Sequence, residues 1–516
     1  MKTRAGVRAA IGVLLCVVGF ALARTIPYRQ TTVLIDAKGC RLITDVVEPV
    51  SGDPQGSVIL IHGLAANKKI MSYLAHAFAE QNIRVFVPDL PGQGRTQSPF
   101  SFARSETCTE SLARQLTTVR AIEPSHTLLA GHSMGGAIAL RVAARAGVAG
   151  VIAVSPAPMR VARGVRADLL PYQNPPPTPD HTLVISAALE PFGIREAARE
   201  LIAPSAATSK YLLIPRATHA SVLFDPRVAR ASQEWAAQVL HLQPARHLPS
   251  LRLFAGSFIG FAGILLLTGP FLRETLGAAQ QPAQIPARPD SDWALATAAN
   301  SPVSPFQTIR PFLEVLLAVF VAVVFLKFWD PLSFLHLFNG SYFATFLLLT
   351  GAILLLLHHK SVAALYAVRP TTLLAVAFAA LALHLLVTGW FDATLTEAWA
   401  SLSRWARFPV LLPTALAYLT AEELLLNRLS QTGSVARFFA TLLLRILAWL
   451  PLTFALFVLH SGAILPILFA PFFLAFFVLQ LLGMQAVRRH TQSPLAAALF
   501  GAILLAGFCL VIFPVT

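Results

Sequence analysis

The chain has 516 residues, 55% of them hydrophobic and only 13% charged, with 40 Lys+Arg against 25 Asp+Glu. That charged fraction is far below the roughly 25% of soluble domains, and the chain is too long for one compact core, so a single soluble domain is excluded. The net charge of +15 is concentrated in loops between long apolar segments, a topology signal that leaves no reason to expect a nucleic-acid partner.

At the N-terminus, Lys2, Arg4 and Arg8 precede an apolar run from Ile11 to Ala23. This is the pattern of a signal anchor or, with Ala21-Leu22-Ala23 as a cleavage site, of a signal peptide. Either reading sets residues 1–24 apart and exports the domain after them. Residues 31–245 then mix charges, prolines and short apolar runs. Runs of strand length occur at 31–36, 40–47, 57–62, 83–89, 126–132, 150–156, 181–187 and 210–215. Helix-like stretches lie at 67–81, 106–121, 134–146, 194–203 and 226–240. Continuous apolar strands separated by helices predict a mostly parallel sheet covered on both faces. The first two runs adjoin without a helix, which predicts an antiparallel hairpin at one edge. Cys40 and Cys108 fall in this exported part, where a disulfide can form, although spacing alone does not bring them together.

Gly131-His132-Ser133-Met134-Gly135 follows a predicted strand and opens a predicted helix, the setting of a nucleophile elbow. The helix N-terminus behind the turn favours negative charge developing there. Three stretches, LIHGLAANK (60–68), VPDLPGQGRT (87–96) and AGHSMGGAIAL (130–140), with ATHASV (217–222) after the last strand, resemble the α/β-hydrolase superfamily. The likeness is to its branch of monoacylglycerol lipases, lysophospholipases and serine aminopeptidases, and it covers roughly residues 31–240. It implies the α/β-hydrolase fold and catalytic groups in the order Ser, acid, His. Ser133 is then the nucleophile. It needs a base within hydrogen-bond reach, and His219 stands in the family's position for one. The N–H groups of Met134 and of Leu64, just past His62-Gly63, would form the oxyanion hole; His62 shapes that loop and moves no proton. The family's Gly-x-x-Asp after the seventh strand is replaced here by Ala187 and Glu190. Glu190 is therefore the expected acid, with Asp168 as the alternative. Asp89 belongs to the DLPGQGRT turn and Asp180 lies at the wrong end of its strand.

The segment between the sixth and seventh strands is short and holds Pro175, Pro176 and Pro177, so no large helical lid is expected and the site should be fairly open to a bulky substrate. Arg160, Arg163 and Arg166 have helical spacing there, as a contact for anionic lipid head groups or as a solvated basic face.

From residue 251 to 516 the chain is a series of apolar runs of bilayer-crossing length, at 251–272, 311–328, 341–358, 371–390, 409–426, 438–460, 462–485 and 494–513. Counting alternate loops, one side carries Lys2, Arg4, Arg8, Arg273, Arg288, Arg310, Lys360, Arg369, Arg428, Arg437, Arg488 and Arg489; the other carries Lys327, Arg404 and Arg407. Basic residues accumulate on the cytoplasmic side, which puts residues 31–245 and the end of the ninth span outside. The linker 273–310, rich in Pro, Ala, Gln and Ser, predicts a flexible inside loop. In LTAEELLLNRL (419–429), Glu422 and Glu423 are ionisable groups within a span. They faintly resemble the Glu-Glu motif of CAAX-processing-type intramembrane proteases. Asn427 stands where that family has Arg, however, and His460 lies at the other end of the bundle, so ion pairing with Arg445 is the expected role.

No Cys-x-x-Cys or His-rich spacing suggests a metal, and no cofactor is expected. The sequence thus leads to an α/β-hydrolase domain at 31–245 and a polytopic all-α membrane domain at 251–516. The expected activity is serine hydrolysis of a lipid or other hydrophobic acyl ester, on the exoplasmic face of a bacterial inner membrane, with membrane lipids and that substrate as partners. A peptidase of the same fold, or a transport or lipid-handling protein whose hydrolase-like domain only binds, are the alternatives.

Overall fold

The computed structural model describes residues 2–24, 27–49, 51–119, 123–156, 179–190, 192–202, 208–277, 305–362, 368–428, 434–459 and 470–516. Eight strands form one sheet: β1 (Gln30–Ala37), β2 (Cys40–Val47), β3 (Gly56–Ile61), β4 (Ile83–Pro88), β5 (Thr127–His132), β6 (Gly150–Val154), β7 (Thr182–Ala187) and β8 (Lys210–Ile214). Their order is β1-β2-β4-β3-β5-β6-β7-β8. The expected hairpin is present, with Ala37 opposite Cys40 across a turn at Lys38 and Gly39, both at positive φ. β2 pairs antiparallel with β4, and from β4 to β8 every pairing is parallel.

β5 and β7 are buried along their whole length, which is why they read as unbroken apolar runs. Side chains still alternate between faces: on β3, Val58 and Leu60 enter one core while Ile59 and Ile61 enter the other. α2 (Ser72–Ala79) and α6 (Pro226–Leu240) cover the first face; α3 (Phe102–Val119), α4 (Met134–Ala146) and α5 (Phe192–Glu200) cover the second. A Cys40–Cys108 disulfide ties β2 to α3.

The remaining long helices are α1 (Lys2–Arg24), α7 (Arg252–Gly277), α8 (Pro305–Leu326), α9 (Gly340–Leu357), α10 (Pro370–Thr394), α11 (Phe408–Arg428), α12 (Ser434–Leu459), α13 (Ala470–Thr491) and α14 (Pro494–Ile512). Among the described residues, nine helices are long and apolar enough to cross a membrane. α1 and α7 lie antiparallel with their backbones in near contact. A Cβ on Gly19 would stand 2.5 Å from Gly256 O, and one on Gly263 2.6 Å from Gly12 O, the small-residue packing that membrane helices use for close approach.

The linker expected to be flexible from 273 to 310 is helical at both ends. α7 continues through Arg273 to Gly277, and α8 begins at Pro305, where the fixed φ of proline suits a helix start. Arg310 pairs with Glu314 one turn on, at 2.8 Å. Residues 278–304 lie outside the described residues.

The sheet part rests on one end of the helical bundle. Ala23 of α1, Leu253 and Phe254 of α7, and Leu395 just past α10 join the apolar core under α2 and α6. Phe338, ahead of α9, packs edge-on against Phe100 with ring centroids 5.3 Å apart. Beyond α14, Val515 N donates to Gly92 O at 3.0 Å and Val515 O accepts from Phe100 N at 2.7 Å. Arg273 and Arg369 lie at the opposite ends of α7 and α10, and Arg437 and Arg488 reach Glu423 near the far end of α11. The basic loops and the sheet part therefore occupy opposite ends of the bundle.

Candidate active site

Ser133 connects β5 to α4 with φ 54° and ψ −120°, a backbone region that a residue bearing a Cβ occupies only when its surroundings force it. The force is visible on both sides. A Cβ on Gly131 would lie 2.3 Å from Gly135 C, and one on Gly135 would lie 2.2 Å from Ile61 O. The turn is thus too tight for any residue but glycine at those two positions. Ser133 N donates to Val154 O at 2.9 Å, which anchors the turn to β6.

The loops after β7 and β8 are tied to each other. Ala188 N donates to Ile214 O and Leu189 N to Ala217 O, at 3.0 and 2.9 Å. This ladder carries Glu190 beside His219, whose Nδ1 stands 3.1 Å from Glu190 Oε2. Glu190 Oε1 accepts from Ala187 N at 3.2 Å, and its side chain has no exposed surface. His219 Nε2, on the far side of the ring, has no hydrogen-bond partner among the described residues, Ser133 Oγ included. Ser133 and His219 are each 8% exposed. Asp168, Arg160, Arg163, Arg166 and the proline run at 175–177 lie outside the described residues.

His132, one residue before Ser133, is a positioning group that the sequence reading passed over. Its Nε2 donates to His219 O at 2.8 Å, and the two rings lie 4.9 Å apart. Burial, then the neighbouring His219, pushes its pKa down to about 3, so it is neutral at any working pH. The histidine inside Gly-His-Ser was the available signal. His62 has the shaping role expected of it. Its Nε2 accepts from Leu90 N at 3.0 Å and its Nδ1 donates to Gly63 O at 2.8 Å. Burial lowers its pKa to about 4, so this single neutral tautomer persists.

Gly63 brings the loop after β3 against the elbow, since a Cβ there would lie 3.1 Å from Ser133 Cβ. The N–H groups of Ala65 and Ala66 are engaged by Gln93 Oε1 at 2.6 Å and by Gly63 O at 3.3 Å; that of Leu64 is not engaged by any described residue. Met134 is the first residue of α4, so its N–H has no partner within the helix. Leu64 and Met134, the residues named from the sequence, thus directly follow Gly63 and Ser133 in the two turns that meet. Asp89 has the turn role anticipated: it accepts from Lys68 N at 2.9 Å, Lys68 Nζ at 2.8 Å and Arg95 N at 3.0 Å.

In the helical part, Arg445 grips Glu422 through Nε and Nη2, both at 2.8 Å, and donates from Nη1 to Gln480 Oε1 at 2.7 Å. Gln480 Nε2 donates to Gly501 O at 2.6 Å. This network joins α11 to α14 as ion pairing, the role expected for Glu422. Among the described residues no cluster of three or more His, Cys, Asp or Glu could hold a metal; His460 lies outside them.

Residues 52–170 match the family described as Serine aminopeptidase, S33. The AB hydrolase superfamily protein YisY of Bacillus subtilis (strain 168) is 31% identical over 88 residues, 17% of this chain and 32% of that protein. The chain thus matches about a third of the length of that curated relative. Among solved structures, XC6422 from Xanthomonas campestris, an a/b serine hydrolase without lid, is 19% identical, with 42% of this chain and 97% of that one covered and a TM-score of 0.35. The hyperthermophilic esterase from the archeon Pyrobaculum calidifontis is 16% identical, with 46% and 93% covered and a TM-score of 0.35. The match at residues 52–170, the strand order and the strained serine between β5 and α4 together give the sheet part the α/β-hydrolase fold, with a sequence similar to the serine aminopeptidase family.

Proposed function

We propose that the protein is a membrane-anchored serine hydrolase that cleaves carboxylic esters of lipids or other hydrophobic acyl compounds. The observation that carries this reading is Ser133 on its strained turn, one residue from a histidine that holds the His219 loop, with His219 paired to Glu190. In the proposed mechanism His219 Nε2 takes the proton from Ser133 Oγ as that oxygen bonds to the ester carbonyl carbon. The carbonyl oxygen becomes an oxyanion held by the N–H groups of Leu64 and Met134. Collapse expels the alcohol, which leaves with the proton from His219, and water then releases the acid from Ser133 by the same steps. Glu190 fixes the imidazole orientation and stabilises its charged form.

The division at 31–245 and 251–516, with the hydrolase domain on the exoplasmic side, belongs to the same proposal. Two observations support it: the basic loops lie at the far end of the bundle, and a Cys40–Cys108 disulfide suits an oxidising compartment. A peptidase is the second reading, favoured by the family description at residues 52–170. The test is a panel of acyl esters, lipid esters and aminoacyl peptides given to the full-length protein in membranes, with Ser133→Ala as control. Ester turnover lost in Ser133→Ala is the expected result. Turnover of peptides alone would replace this reading with the second. No turnover, together with no Ser133-dependent labelling by a fluorophosphonate, would leave a binding domain.

A further inference from the structure

The loop that bears Leu64 is gripped from outside its own domain. Asn67 Nδ2 donates to Thr396 Oγ1 at 2.8 Å and to Glu397 O at 3.4 Å, while Asn67 Oδ1 accepts from Glu397 N at 3.2 Å. Lys68 Nζ, in a side chain 1% exposed, bonds Asp89 Oδ2 at 2.8 Å and Glu397 Oε1. Lys69 Nζ donates to Asp392 O. Arg95 Nη2 reaches Asp392 Oδ2 at 3.1 Å and Arg95 Nε reaches Glu397 Oε1 at 3.3 Å. Each of residues 67, 68 and 69 therefore has a partner in the short segment 392–397 at the end of α10.

The other flank is held from the same side. Gln93 Oε1 carries the N–H of Ala65, next to Leu64. Gln93 follows Gly92, whose carbonyl accepts from Arg404 Nη2 at 3.0 Å, and Arg404 Nη1 donates to Leu510 O and Phe513 O at the end of α14, at 2.7 and 3.1 Å. Gln93 Nε2 and Glu397 Oε2 have no partner among the described residues. Both residues line a cavity of about 20 Å³ that also touches Asn67 and Arg404, room for about one water.

We infer that segment 392–397 sets the position of the oxyanion loop, with Glu397 and Thr396 as positioning residues, so that acyl transfer at Ser133 depends on the membrane helices being docked. The inference rests on the serine-hydrolase reading above. Lys68 is a buried cation that bonds two carboxylates, one from each part of the chain, and Arg95 is the second cation on Glu397; an amide at 397 weakens the hold from the helical side, so the pair with Asp89 draws Lys68 and the loop with it. Oxyanion donors act only when fixed at the developing charge, and a displacement of about 1 Å costs on the order of 100-fold in rate.

The test uses the full-length protein in nanodiscs with two conservative variants, Glu397→Gln and Thr396→Val, followed by ester turnover and by the rate of labelling with a fluorophosphonate. Labelling places negative charge on the phosphoryl oxygen in the same hole and needs no knowledge of the substrate. The expected result is a fall of about tenfold or more in kcat and in labelling rate for Glu397→Gln, with KM within about twofold, and a smaller fall of the same kind for Thr396→Val. Both rates within twofold of wild type in either folded variant would overturn the inference, and so would a rise in KM alone. If Glu397→Gln fails to fold, Thr396→Val decides. A wild type that is labelled but cleaves no ester sinks only the ester reading, because the labelling rates still decide the inference. A wild type that does neither sinks both.

Discussion

Glu190 is a buried carboxylate with one oxygen on a backbone N–H and the other on the ring of His219. Glu190→Gln keeps the size and a hydrogen bond but favours the wrong imidazole tautomer and cannot stabilise the charged ring. The comparable change in serine-protease triads costs about 10⁴ in kcat, and a loss of that order is expected here with the fold intact. A kcat within about threefold of wild type, under about 1 kcal/mol of barrier, would move the acid elsewhere. At this scale legibility depended on whether a residue's job is local. Ser133 announces itself by the glycines its turn requires, and His219 and Glu190 by following particular strands. Asn67 and Gln93 carry no such mark, because what they do is decided by partners that the local sequence does not contain.

Among the elements, β2 spans 40–47 as its apolar run predicts, whereas helix starts moved. α3 begins at Phe102 and not at 106, because Ser101 caps it: its Oγ accepts from Arg104 N at 3.1 Å and its carbonyl from Ser105 N at 3.0 Å. The stretch read as one helix over 67–81 is a 3₁₀ turn at Lys68–Met71 followed by α2, since the Asn67 side chain caps Lys69 N. α13 runs to Thr491, past the predicted 485, and ends on Arg488, Arg489 and His490: hydropathy marks where a helix is apolar, not where its hydrogen bonds stop. The α1–α7 contact yields an element-scale prediction. A side chain at Gly256 would meet Gly19 O at 2.5 Å, while Gly269 on the same helix has nothing within 4 Å. Gly256→Leu should therefore destabilise the detergent-solubilised protein by roughly 1–3 kcal/mol, the usual cost of overpacking, and Gly269→Leu should not. Equal thermal midpoints for the two variants would show that α1 and α7 do not pack backbone to backbone.

For the molecule as a whole, stability should fall with acidification. Burial lowers the pKa of His62 and of His76 to about 4, and that of His132 to about 3, against about 6.5 in an unfolded chain. Above pH 6.5 both states are neutral at these rings and the full stability is present. As the pH falls from 6.5 toward 4 the unfolded state takes up protons that the folded state refuses, at a cost approaching about 1.4 kcal/mol per pH unit for each ring. Glu397, whose pKa burial raises to about 7, is protonated in the folded state only below that pH, where it offsets part of this. The cleanest measurement is therefore a difference: between pH 7 and 5 the thermal midpoint of His76→Gln should drop less than that of wild type, and parallel drops would refute the assignment. Legibility was poorest at this scale. The alternation of basic loops put the sheet part at the end of the bundle away from them, as observed, but Lys68 and Glu397 are 329 residues apart, and composition records no such pairing. The short ladder that Val515 makes with Gly92 and Phe100 has a consequence for biosynthesis. The sheet part is synthesised through Leu240 while 276 residues still separate it from Thr516. At about 5–20 residues per second, that interval is roughly 14–55 s. Through it the Gly92–Phe100 turn lacks Val515, and until residue 397 is made the loop at 67–69 lacks its partners too. The sheet part, made before the helices α7 to α14, is thus completed after them, and a ribosome that stalls within α11 to α14 releases a chain whose sheet is formed but whose turn at 92–100 has nothing to close on.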